Sequence, residues 1–94
     1  MSNKVQNVRL VDGEFTPVQA IDVISSLIKQ KINFHKVENL QNWEKDHKAD
    51  PEPIKKRINE LKEANEAAKQ FIIEMKKNGK KVKIEGNLSI NIVD

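Results

Sequence analysis

From Ile54 to Asn78 the chain runs without a glycine or a proline. Asp50 can cap a helix here, Pro51 suits the first helical position, and Pro53 still falls within the tolerated first turn. Gly79 suits the left-handed residue just past the end, and Lys76 and Lys77 complement the negative C-terminal pole. The span predicts one helix over about 51–78, roughly 42 Å long at 1.5 Å per residue. A compact domain of 94 residues is only roughly 32 Å across. Such a helix overhangs its own domain, and apolar residues on the overhang need a partner.

The apolar pattern bears on what that partner is. Ile54, Ile58, Leu61, Asn65, Ala68, Ile72 and Met75 alternate four- and three-residue steps, which is a heptad repeat with a polar residue inside the seam. An asparagine at such a position can set register and partner number at some cost in stability. Two features favour ordinary packing within the chain over a long self-paired coil. Ala64 and Phe71 widen the stripe beyond a pure seam, and Lys55, Lys62, Lys69 and Lys76 flank it with like charge. A contact with another chain is therefore expected through the N-terminal half, at Ile54, Ile58, Leu61 and Asn65. Trp43, the only tryptophan, is a further candidate anchor for a protein interface.

The remaining chain punctuates itself. Val5 to Val11 alternates as a strand, and Asp12-Gly13 reads as its turn. Thr16, Pro17 and Gln19 form the start of a helix, with a Thr-x-x-Gln capping box. Ala20, Ile21, Ile24, Leu27, Ile28 and Ile32 give that helix a core stripe to about Lys31. Val37, Leu40 and Trp43 predict a second, shorter helix over about 35–46. At the C-terminal end, Val82 and Ile84, then Leu88, Ile90 and Ile92, alternate with polar residues. A three-residue turn at Glu85-Gly86-Asn87, with Asn87 left-handed, would keep their faces in step as a β-hairpin. The expected fold is a single α+β domain over 1–94. Its small three-stranded antiparallel sheet, of the N-terminal strand plus the C-terminal β-hairpin, packs on helices that include the long one at about 51–78.

No catalytic constellation stands out. Without cysteine, a disulfide scaffold, a thiolate metal site and a cysteine nucleophile are excluded. His35 and His47 stand in no metal-binding pattern, and the acidic residues alternate with lysines as on a solvated helix face. The start of the chain lacks the apolar run of a signal peptide, and no stretch approaches the ~18 apolar residues of a membrane span. The expectation is a non-enzymatic cytoplasmic protein without a cofactor, metal or membrane contact. It would act in protein–protein interaction or oligomerisation, as a homodimer or bound to another chain. The alternative is weak nucleic-acid binding. Helices followed by a hairpin resemble the winged helix in topology, which would put Lys80, Lys81 and Lys83 on the wing. Against it stand a modest net charge of +3, carried almost wholly by lysine, and an aromatic content of 4%.

Overall fold

The computed structural model describes residues 4–93. Residues 1–3 and 94, which the single-domain expectation also spans, lie outside the described set. Four elements follow in order: β1 (Val5–Phe15), α1 (Pro17–Lys45), α2 (Glu52–Lys77) and β2 (Val82–Asn91). The class is α+β, with two antiparallel helices and a two-stranded antiparallel ribbon.

The helix ends obey local chemistry. At the start of α1, Thr16 Oγ1 accepts from the Gln19 backbone N–H, and Gln19 Oε1 accepts from the Thr16 backbone N–H. Each bond satisfies a donor that an uncapped helix would leave open. The start of α2 is one residue later than expected: Pro51 is the cap residue, with no side-chain capping bond of its own, and Asp50 Oδ1, just before it, accepts from the Glu52 N–H. At its end Gly79 adopts φ 66°, with Gly79 N–H donating to Lys76 O and Lys80 N–H to Met75 O. That pair of bonds is a Schellman stop, and it needs the left-handed residue that glycine supplies most cheaply.

Two expectations about the helices and strands are corrected. The separate helices at 17–31 and 35–46 are one helix, Pro17–Lys45. Nothing between Lys31 and His35 breaks a helix, since Asn33 and Phe34 cost only tenths of a kcal/mol in propensity, about 0.7 at most each. The predicted three-stranded sheet is also overturned. Residues 82–91 form one uninterrupted strand, and Glu85, Gly86 and Asn87 pair with Asp12, Val11 and Arg9 in place of turning. Asn87 has no positive φ. Because Val82, Ile84, Gly86, Leu88 and Ile90 share one parity, the strand keeps its apolar residues on one face without any turn. Pairing with all of β1 also satisfies far more backbone than a short hairpin would. β1 accordingly runs through Asp12-Gly13 to Phe15, and a bulge at Leu10 absorbs the one extra residue.

The helices and ribbon lie in a flat layer of 51 × 40 × 14 Å. The radius of gyration is 17.2 Å, against about 12 Å for a compact chain of this length. Only Ala20, Ile58 and Ile72 are buried among the described apolar residues. Leu27, expected in the core, is exposed. The ribbon meets the helices only near its base, where Val82 and Ile84 join Ile24, Ala68, Phe71 and Ile72 around a shallow apolar depression of about 270 Å³.

Candidate protein-binding surface

The heptad stripe of α2 faces α1 of the same chain. Ile54, Ile58, Leu61, Asn65, Ala68, Ile72 and Met75 are all buried or partly buried. On α1 the residues Ile21, Ser25, Ile28, Ile32, His35 and Asn39 repeat at the same alternating steps, and every one is partly buried. The two stripes form an antiparallel helical seam. Its polar positions meet each other: Ser25 Oγ donates to Asn65 Oδ1 at 3.2 Å. Asn39 Nδ2 donates to Pro51 O at 3.4 Å near the far end. This register places Ile32 level with Ile58. With hydrogen on Nδ1, His35 donates to Glu38 Oε1 at 3.0 Å, and its buried Nε2 has no partner among the described residues.

The predicted interface residues are thus separated. Ile54, Ile58, Leu61 and Asn65 share a face, and that face is turned to α1. Trp43 lies at the tip of the helical hairpin, 51% exposed, its ring stacked on His47 at 4.1 Å between centroids. Asn39, Asn42, Ala49, Asp50 and Pro51 complete a shallow depression around that pair.

Much of the uncovered apolar surface lies elsewhere, and part of it forms two strips. On α1, Leu27, Phe34 and Val37 are exposed, Phe34 at 59%. Leu27 and Phe34 are seven residues apart and Val37 stands three further on, so the three share one side of the helix, beside the seam. Lys31 Nζ stands 4.7 Å from the centre of the Phe34 ring, and the His35 ring meets it edge-on at 5.6 Å between centroids. The second strip is on the ribbon. Cross-strand partners share a face, so the pairs Phe15–Val82, Gly13–Ile84, Val11–Gly86, Val8–Leu88 and Gln6–Ile90 all lie on one side. The base of that side is partly buried, while Val8, Leu88 and Ile90 are exposed, the last at 56%. The periodicity of the sequence reveals neither strip as uncovered. Phe34 falls outside both predicted helical stripes, and the signal that could have exposed it is its seven-residue spacing from Leu27.

The opposite side of the ribbon is charged. Lys83 Nζ lies 2.9 Å from Glu85 Oε1, and Arg9 pairs with Asp12 at 3.3 Å. The hydrogen bond from Lys83 holds the Glu85 carboxyl below the usual carboxylate range, and the same bond raises the Lys83 ammonium above its own. Lys83 therefore has its counter-ion within the strand. Lys80 and Lys81 are exposed in the link between α2 and β2. The hairpin wing expected to carry the three lysines does not exist, because β2 is a single strand.

No group of three or more potential metal ligands is found among the described residues. Nor is any described helix long and apolar enough to cross a membrane. No protein-family model, curated protein or solved structure matches the chain.

Proposed function

We propose that this chain is a non-enzymatic protein-interaction module whose partner is a second copy of itself. One observation carries the proposal: the surface the chain leaves uncovered. Its accessible area is 7765 Å², whereas a compact protein of 10.8 kDa exposes about 5,500 Å². The surplus of roughly 2,000 Å² per chain fits an obligate homodimer, which buries about 2,000–5,000 Å² in total. Large apolar side chains sit in that surplus, among them Phe34, Trp43, Phe71, Leu88 and Ile90. Exposed large apolar side chains in this number on a small chain mark association sites.

The polar surface agrees with a role in contact and not in catalysis. Glu52, Glu60 and Glu66 are each taken up by a cation three residues away, Lys55, Arg57 and Lys69, along the solvated side of α2. The reading includes the cytoplasm as its setting, from a charge-rich composition that uses no cysteine. Light scattering behind a sizing column tests it. The expected mass is twice 10.8 kDa, retained in moderate salt because the contact is apolar. A mass of one chain at every concentration refutes self-association.

A further inference from the structure

Resting on that self-association, we infer that the free half of the ribbon is an exchanged arm, which lies across Leu27, Phe34 and Val37 of the second copy. Four observations lead there. The apolar side of the ribbon is continuous, but the chain covers only its base. Val82 and Ile84 are partly buried near Ile24 and Ile72, while Val8, Leu88 and Ile90, further along the ribbon, are exposed.

The second observation is charge. The base of the arm carries Arg9, Asp12, Glu14, Lys83 and Glu85, whereas 5–8 and 86–93 contain no charged residue. Free strand edges are ordinarily guarded by charge, and an isolated two-stranded ribbon is marginal in water. Apart from Lys4 at the tip, the arm beyond its base is uncharged and apolar on one side, which is what a covered surface looks like.

The third is fit. Leu88 to Ile92 spans about 13 Å at 3.3 Å per residue. Leu27 to Val37 spans about 15 Å of helix. The two strips match in length and in apolar character. Between Lys4 at its tip and Arg9 near its base, the arm brings only neutral polar residues, Gln6, Asn7, Asn87, Ser89 and Asn91, toward the lysine that borders Phe34.

The fourth is closure. One chain holds both a sheet face lacking a helix and a helix face lacking a sheet. A two-fold pair satisfies both surfaces twice and leaves neither open for further growth.

The absence of native cysteine makes the test direct. A Leu88→Cys chain is co-expressed with a differently tagged Phe34→Cys chain, and a short bis-maleimide is added to the purified protein. Cross-links joining the two tags are expected, and Ser89→Cys, on the opposite side of β2, should give few with Phe34→Cys. If wild type is dimeric but Leu88→Cys links only to itself, or no more than Ser89→Cys links to Phe34→Cys, the exchanged arm is wrong while the dimer stands. If wild type is a single chain in light scattering, self-association fails and the arm with it.

Discussion

The helical hairpin and the ribbon are of similar length but stand differently with respect to water. In the hairpin every backbone bond is internal to a helix, and the two apolar stripes cover each other along the seam from Ile21 and Ile72 to Asn39 and Ile54. In the ribbon each strand has one partner and one open edge, and half of the apolar side has no cover. Helices need only side-chain packing to complete them, whereas a two-stranded sheet needs both packing and further backbone partners. The hairpin is therefore the part of the molecule able to hold its shape within one chain. The ribbon depends on what is placed against it.

The sharpest way to break that contrast is at Ile58. Ile58→Asp puts a charge into the seam opposite Ile32, and a loss of more than about 3 kcal/mol is expected. Far-ultraviolet dichroism should show the helices melting. A variant that keeps full helicity would mean the seam is not the core. Phe34→Asp asks the converse question. Its site is exposed within one chain, so the helical signal should persist while the mass falls from two chains to one. The same coupling predicts that the wild-type melting temperature rises with protein concentration. A concentration-independent melt would separate folding from assembly. Thr16→Ala removes the capping bond where the ribbon joins the hairpin and should cost about 1 kcal/mol. Denaturant unfolding resolves that difference, and an unchanged midpoint would show the cap to be idle.

The smallest effect belongs to Glu85→Gln on the charged side of the ribbon. The Lys83 ammonium, raised by Glu85, should return toward its ordinary titration range, as nuclear magnetic resonance would follow, with little change in stability. The sign of the linkage follows from the two shifts. The Glu85 contribution is present above the ordinary carboxylate range and fades as acid takes the pH down through its lowered value. The Lys83 contribution is present below the ordinary lysine range and fades as alkali carries the pH above its raised value. A Lys83 titration that does not move in the variant would show that the pair is not formed in solution.

Local chemistry alone determined the start of α1 and the stop of α2, but not the end of α1. Thr16 with Gln19, and Gly79, act within a few residues, by donors and acceptors that the nearby sequence supplies. The stripe from Ile54 to Met75 was equally legible, because a helix of any origin displays its own period. What that stripe faces was not legible, since Ile58 would pack as well against a second chain as against Ile32. The meeting of Ser25 and Asn65 is a tertiary event, forty residues apart in sequence. Tertiary structure likewise decided between a hairpin and a straight strand at 82–91. Gly86-Asn87 permits either, and a full-length partner in β1 offers more backbone bonds than a short turn does. The uncovered strips at Phe34 and Leu88 follow from the same cause: periodicity tells which residues share a face, but only the arrangement of the whole chain tells whether anything lies against it.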